Sequence, residues 1–273
     1  MLRFVRFRAQ ATSIPWLTKT FSTSPLSNMT APFELIYHGG VPGRGEHVRL
    51  IFEEAGTSYT DTATLSSKKC QEAVGALLDS QKGNPPCFAP PALRHGDLLI
   101  SQTSNILMYL GPQLGLAGKT ENDRYRVNAL ALTALDGLSD EVHDCHHPIA
   151  TDLYYEDQKV ESARRSKEWV NHRLPKHLAY WQKVLQNSGG SWLLGNSFTY
   201  ADLVLFQCID GTLFAFPKAM EQAKQSGKYD LVFGLWEAVK ARPNITAYLS
   251  SKRRQKYDFG IYRYYPDNDV VAD

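Results

Sequence analysis

The stretch PPALRHGDLLISQTSNI, residues 90–106, decides the fold of this chain. After the two prolines, Ala92 and Leu93 begin an apolar strand, a tight turn forms around Gly96, and Leu98–Ser101 returns as the next strand. Apolar residues at helical spacing then follow from about Ser104 to Leu110. A glycine turn between two short strand-like runs indicates a β-hairpin, and this one leads directly into a helix.

The residues before this stretch predict a mixed α/β domain over residues 31–112. Phe33–Tyr37 is a short strand, and His38–Gly45 is a loop with four glycines and Pro42. The segment 46–55 has one apolar helical face, and 58–64 is polar and β-branched, as expected of an edge strand. The predicted order is therefore β-α-β-turn-β-β-α.

The pattern changes after a Gly- and Leu-containing linker at residues 113–120. Residues 121–250 have only helical periodicity and predict an all-α domain, in which Pro175 should break a long helix near His172–Leu174. Residues 251–273 are rich in tyrosine and charge without periodicity and are expected to form a surface tail. The sequence thus predicts an N-terminal α/β domain and a C-terminal all-α domain.

The N-terminal segment 1–30 differs in composition from the rest. Four basic residues and no acid lie within the first 33 residues, which leaves 26 basic against 28 acidic residues in the body. The near-neutral remainder of the chain has no electrostatic field that would attract nucleic acid or an anionic membrane. A basic, acid-free, hydroxyl-rich leader is typical of a mitochondrial targeting segment, whereas translation from Met29 would give a cytoplasmic protein. A disordered basic terminus is the alternative.

Four cysteines without a CxxC pair favour a reducing compartment over a disulfide framework. They also disfavour a thioredoxin-type disulfide oxidoreductase. No apolar run approaches the roughly 18 residues of a membrane span.

Together, Pro90-Pro91-Ala-Leu, Gln102-Thr103-Ser and the capping sequence Thr199-Tyr-Ala-Asp202 resemble the soluble glutathione S-transferases. The likeness covers about residues 31–250 and is strongest to the tyrosine-using, sigma-like classes. It implies a thioredoxin-like domain followed by an all-helical domain, glutathione as co-substrate, no metal, and a homodimer.

The resemblance also implies how glutathione binds. A cis bond before Pro91 would expose the Pro90 backbone for pairing with the cysteine of glutathione, although Pro90 has no N–H to offer. Gln102 and Thr103 would bind the γ-glutamyl carboxylate at a helix start, where free N–H groups favour an anion.

Tyr37 is the expected catalytic residue. The glutathione thiol has an ordinary pKa near 8.5, and lowering it by two units requires about 2.7 kcal/mol. A hydrogen bond donated to a charged acceptor supplies about 1.5–3 kcal/mol, whereas a helix N-terminus adds only about 0.3–1 kcal/mol. The loop 38–45 contains no serine, threonine or cysteine, so the hydroxyl of Tyr37 at the strand end is the candidate donor.

The remaining predicted contacts are weaker. Arg44 is expected near the sulfur or beside the tyrosine, and Lys82 at the glycine carboxylate, with Lys68 and Lys69 as alternatives. Asp136 is expected to reach the glutathione amine of the partner subunit.

Several other interpretations stay open. His143 and His147 at i, i+4 could ligate a metal, but we expect them to line a pocket or pack in the core. Gly40–Gly45 has the wrong glycine order for a dinucleotide loop. The predicted activity is conjugation of glutathione to small hydrophobic electrophiles in detoxification. The alternatives are a non-catalytic binding or regulatory protein and a glutathione-dependent peroxidase.

Overall fold

The computed structural model describes residues 31–79 and 85–271. The predicted targeting segment 1–30 and Lys82 therefore lie outside the described residues. Four strands and eleven α-helices occur in the described part, in the order expected for an α/β domain followed by an all-α domain. The first domain contains β1 (Phe33–Ile36), α1 (Gly45–Ala55), β2 (Tyr59–Asp61), α2 (Ser67–Leu78), β3 (Ala92–His95), β4 (Leu98–Ser101) and α3 (Thr103–Gln113).

The second domain begins after residues 114–120. Its helices are α4 (Glu121–Thr133), α5 (Asp140–Asp144), α6 (Lys159–Glu168), α7 (Leu174–Ser188), α8 (Tyr200–Ala215), α9 (Pro217–Gln225), α10 (Asp230–Lys240) and α11 (Pro243–Leu249). Within the described residues, no single helix is long and apolar enough to cross a membrane. The bent pair α8 and α9, at 114°, meets that length and composition together.

The four strands form one mixed sheet in the order β2-β1-β3-β4. β1 is parallel to β2 and antiparallel to β3, so β2 is an edge strand as expected. One face is covered by α2 through Ile36, Val74, Leu77 and Ala92. The helices α1 and α3 pack together and join the core shared with the second domain. This arrangement places the end of β1, the start of β3 and the start of α3 at the domain junction.

The second domain is organised around α8, which is buried along almost its whole length and packs on α4, α9 and α10. The sequence Thr199–Asp202 begins this helix as predicted. Asp202 accepts from the Thr199 N–H at 2.8 Å and from the Leu193 N–H at 2.8 Å. One buried carboxylate thus fixes both the helix start and the loop before it.

Two π-helical segments, Ala134–Ser139 and Trp169–Arg173, interrupt the long helices of this domain. The second lies where Pro175 predicted a break, because proline cannot donate the next backbone hydrogen bond. The first has no such sequence signal. It lengthens the helix wall that faces the first domain, and α5 continues from it.

A buried ion network joins the two domains. Glu46 at the start of α1 accepts from Arg49 at 3.0 Å and from the Tyr248 hydroxyl at 2.6 Å, and it also pairs with Arg254. Arg254 continues to Asp210 on α8 at 3.0 Å. Because these charges are buried with their partners, the loop before α1 is held against the helical domain.

The prediction that residues 251–273 form a surface tail is wrong in one respect. The described part of this segment, residues 251–271, has no helix or strand, but Tyr262, Asn268 and Asp269 are buried. Tyr262 is 1% exposed and packs over Gly211, where an added Cβ would lie 2.5 Å from its ring. Asp269 accepts from the N–H groups of Lys218 and Ala219 at the start of α9, at 2.7 and 3.1 Å. Apolar periodicity cannot predict such a segment, because its burial depends on single side chains entering gaps between helices.

Candidate functional site

A groove of about 280 Å³ lies at the junction of the two domains. The first domain contributes the loop before α1, the segment before β3 and the start of α3, and the second contributes the helical wall from α4 to α5. Its lining includes most of the predicted glutathione contacts: Arg44, Pro90, Pro91, Gln102, Thr103 and Asp136. The Pro90–Pro91 bond is cis, as expected.

The start of α3 has an unusual backbone. Gln102, the residue that caps this helix, has a φ of +71°, and it is the one non-glycine residue with positive φ among those described. A non-glycine residue in this region costs about 1–3 kcal/mol, and such residues cluster at ligand clamps. Thr103 is the first helical residue and not the cap. Its hydroxyl donates to the Arg44 carbonyl at 3.3 Å.

Arg44 connects three parts of the groove. Its N–H donates to the Tyr37 hydroxyl at 2.9 Å. Its side chain crosses to the second domain, donates to the Leu135 carbonyl at 3.3 Å and pairs with Asp140. Asp140 was not predicted as a site residue, although it lies four residues after Asp136, on the same side of the helical wall. Asp136 lines the groove of its own chain.

Tyr37 lies behind the groove and is not among its lining residues. Its ring is 7% exposed and sits under the loop of Gly43 and Gly45, where added Cβ atoms would come within 2.1 and 2.6 Å of it. The Arg49 guanidinium carbon is 5.7 Å from the ring centroid. Only glycine at positions 43 and 45 leaves room for this ring.

The oxygen of the Tyr37 hydroxyl accepts from the Arg44 N–H. The hydroxyl proton has no acceptor among the described residues. Burial raises the pKa of Tyr37, while the Arg44 N–H and the charges of Arg49 and Arg44 act in the opposite direction. The net increase keeps the phenol protonated at neutral pH. The phenol is therefore a hydrogen-bond donor without an acceptor among the described residues. Arg44, which lines the groove, is the residue that connects it to the groove.

The four cysteines are free. Within residues 31–79 and 85–271, no cluster of three or more His, Cys, Asp or Glu side chains has an arrangement that could hold a metal ion.

Comparisons with known proteins agree with this architecture. Residues 143–252 match the family model described as glutathione S-transferase, C-terminal domain. The chain is 29% identical to glutathione S-transferase 1 of Ascaris suum over 217 residues, covering 80% of this chain and 95% of that protein. It is 26% identical to glutathione S-transferase P 10 of Caenorhabditis elegans, covering 81% and 92%.

Over about four fifths of its length, the chain is similar to soluble glutathione S-transferases. The crystal structure of the glutathione S-transferase from Ascaris lumbricoides has a TM-score of 0.60 at 25% identity and covers 82% of this chain and 98% of that one. The predicted fold class, a thioredoxin-like domain followed by an all-α domain, is confirmed. The tyrosine-using subclass, the residue roles and the dimer stay predictions for this chain.

Buried histidines make the protein sensitive to acid. Burial lowers the pKa of His47 to about 3 and that of His146 to about 3, and neither ring nitrogen of His47 has a partner among the described residues. In the unfolded chain both would titrate near pH 6.5. The unfolded state therefore binds more protons below this pH, and stability is full above it and falls as the solution is acidified.

His47→Leu should make stability less dependent on pH. We expect the slope of the unfolding free energy between pH 6 and 4.5 to fall by about 1.4 kcal/mol per pH unit, one proton's worth. Urea unfolding at several pH values measures it. His172→Leu, at a side chain 70% exposed, is the matched control and should leave the slope unchanged. An unaltered slope in the His47 variant would contradict the argument.

Proposed function

We propose that this protein is a glutathione transferase that conjugates the glutathione thiolate to small hydrophobic electrophiles, with a role in detoxification. The observation that carries the proposal is the uncommitted phenolic proton of Tyr37, held beside the groove by the Arg44 N–H. A thiolate at the groove end nearest residue 44 would accept this proton in a hydrogen bond. Since the acceptor is charged, the bond contributes about 1.5–3 kcal/mol and lowers the thiol pKa by one to two units.

The rest of the groove suits the tripeptide. The free N–H groups at the start of α3, with Gln102 and Thr103, would bind the γ-glutamyl carboxylate. The carbonyl of Pro90 can accept from the cysteine N–H, whereas the reciprocal bond is missing because proline has no donor. Asp136 lines the groove of its own chain, so we propose that it pairs with the α-amine bound there and not, as expected from the sequence, with that of the partner subunit. Lys82 is the proposed partner of the glycine carboxylate.

Two measurements test the proposal. The protein should be retained on immobilised glutathione, and it should conjugate 1-chloro-2,4-dinitrobenzene above the uncatalysed rate. Retention without turnover would indicate a binding protein, and turnover of cumene hydroperoxide alone would indicate a peroxidase. If the protein is neither retained nor active, the groove does not bind glutathione and the proposal is wrong.

A homodimer is part of the same proposal. Phe88, in the segment before β3, is 92% exposed, and Leu99, Met108 and Tyr125 are exposed on β4, α3 and α4. These elements are neighbours in the fold, because α3 packs on both β4 and α4. A second copy of the chain would cover this apolar surface.

Phe88→Ser should convert the dimer to a monomer at low micromolar concentration, because it removes the most exposed aromatic side chain of that surface. Sedimentation velocity measures the change. Phe259→Ser, at a residue 62% exposed on the C-terminal segment, is the control and should stay dimeric. A wild-type protein that sediments as a monomer would refute the dimer.

We also propose that the transferase acts in mitochondria, on the basis of the basic, acid-free segment 1–30. Translation from Met29 would give a cytoplasmic form. A reporter fused to residues 1–30 should be imported by mitochondria, and a reporter that stays in the cytosol would exclude this localisation.

A further inference from the structure

Three histidines form a cluster at the end of α5: His143 lies in the helix, and His146 and His147 follow it. The ring centroids of His143 lie 5.0 Å from those of His146 and His147, and the last two are 4.7 Å apart. His146 is buried, and its Nε2 lies 3.0 Å from the Ile261 carbonyl oxygen. Its other ring nitrogen, Nδ1, is buried without a partner among the described residues. His143 and His147 are partly exposed.

Arg263 on the C-terminal segment faces this cluster. Burial lowers the pKa of each of the three histidines, and the charge of Arg263 lowers each pKa further. The Arg263 Nε donates to the Gly260 carbonyl at 3.1 Å. In the described part of the chain, no carboxylate lies within 4.0 Å of its guanidinium. A half-buried cation without a counter-ion, beside neutral imidazoles, favours an anion.

The cluster adjoins the proposed sulfur position. Asp140 precedes His143 by one helical turn and pairs with Arg44 across the groove. On the opposite side, an added Cβ at Gly260 would lie 3.5 Å from the Val41 Cβ, so the C-terminal segment meets the loop before α1. With the sulfur beside Arg44, as proposed above, a second substrate that approaches it from the side of Asp140 would meet this cluster.

The local charges leave one positive charge in excess. Asp140 is matched by Arg44, and Asp144 by Arg165 at 3.7 Å. Arg263 remains without a match. Two groups beside it can also donate to an anion: the ring N–H of His143, which lies in α5, and the ring N–H of His147, whose Nδ1 lies 3.3 Å from the Gln158 Nε2.

We propose that Arg263, His143 and His147 form an anion subsite, and that the second substrate of this enzyme is an electrophile bearing a carboxylate. The inference rests on the proposed transferase function and specifies its substrate class. Arg263 supplies a planar, two-pronged donor that matches a carboxylate, and the two imidazoles each supply one N–H. An ester of the same acid has the same apolar body but no charge, so it lacks this recognition.

Binding is the direct test, because it does not require turnover. Isothermal titration calorimetry compares 3,5-dinitrobenzoate with its methyl ester, using the full chain. We expect Arg263→Gln to weaken binding of the acid about tenfold or more, while the ester is unaffected, because a charge-assisted contact is lost. Arg263→Lys should keep most of the preference. Arg126→Gln, at a side chain 68% exposed on α4, is the control.

The turnover of 4-chloro-3,5-dinitrobenzoate and its methyl ester, each divided by its uncatalysed rate with glutathione, extends the test. The proposal predicts that Arg263→Gln raises KM for the acid alone. Equal binding of acid and ester by the wild type would overturn the anion subsite, even if both are conjugated. It would also be overturned if Arg263→Gln instead weakened binding of S-methylglutathione. Preferential binding of the acid without any turnover would support the subsite and refute the transferase activity.

Discussion

Replacing Tyr37 by phenylalanine should slow glutathione conjugation at pH 6.5 by about 100-fold, the loss expected when one donor to a developing anion is removed. The oxygen of Tyr37 is already held by the Arg44 N–H, so the bond that the variant loses on the substrate side is the one to sulfur. The aromatic ring remains and fills the same space under Gly43 and Gly45. Glutathione affinity should therefore change little.

The pH profile of kcat/KM distinguishes this role from a structural one. In the wild type, the rising limb reports the thiol of bound glutathione, because the raised pKa of Tyr37 keeps the phenol protonated throughout the neutral range. In the variant, this limb should move up by one to two pH units. Absorbance of the thiolate in the ultraviolet provides an independent measurement of the same shift.

Tyr59→Phe is the matched control for Tyr37→Phe. The Tyr59 hydroxyl also makes a single described hydrogen bond, to Glu53 at 2.9 Å, but it lies on β2 away from the groove. Its loss should leave both the rate and the pH profile unchanged. If Tyr37→Phe behaves like this control, the Arg44 side chain becomes the candidate that stabilises the thiolate.

Asp202→Ala should lower the free energy of unfolding by about 3–5 kcal/mol, because the donors that the carboxylate accepts are left buried without a partner. Asp202 is 0% exposed. Its oxygens accept from the Leu193 N–H, from the Thr199 N–H and from the Thr199 hydroxyl, the last at 3.0 Å. Burial raises the pKa of Asp202 to about 6, so urea unfolding at pH 7.5 compares proteins in which this carboxylate is ionised.

A second capping box provides the control. Asp123 on α4 accepts from the Thr120 N–H at 3.0 Å in the same arrangement, but at the surface, where water replaces the lost acceptor. Asp123→Ala should therefore destabilise the protein much less. Equal losses from the two variants would show that burial is not the cause of the effect at Asp202.

The fold was predictable from sequence because its signals are local. The proline pair before β3, the glycine turn of the hairpin and the Thr199–Asp202 cap each restrict the backbone at their own positions. The first π-helical segment was not predictable, since a shift from i−4 to i−5 hydrogen bonds leaves the apolar periodicity almost intact.

The residues of the candidate site were predictable from the sequence, but their arrangement was not. Gln102 and Thr103 were expected as a pair, but no sequence signal predicted the positive φ of Gln102, the single residue between β4 and α3. Tyr37 was identified from its place at a strand end, whereas its position beneath the loop depends on Gly43 and Gly45 folding over it. The partner of Arg44 was missed because Asp140 belongs to another domain.

The buried C-terminal segment changes where this protein can be cut. The match to the family model ends at residue 252, yet Tyr262 occupies the space above Gly211, and Asp269 holds the first turn of α9. The helical domain is thus completed by residues that come after the part matched by the family model. An expression fragment that ends at residue 252 would lack the side chains of Tyr262 and Asp269, which pack inside the helical domain. The folding unit therefore extends at least to Asp269.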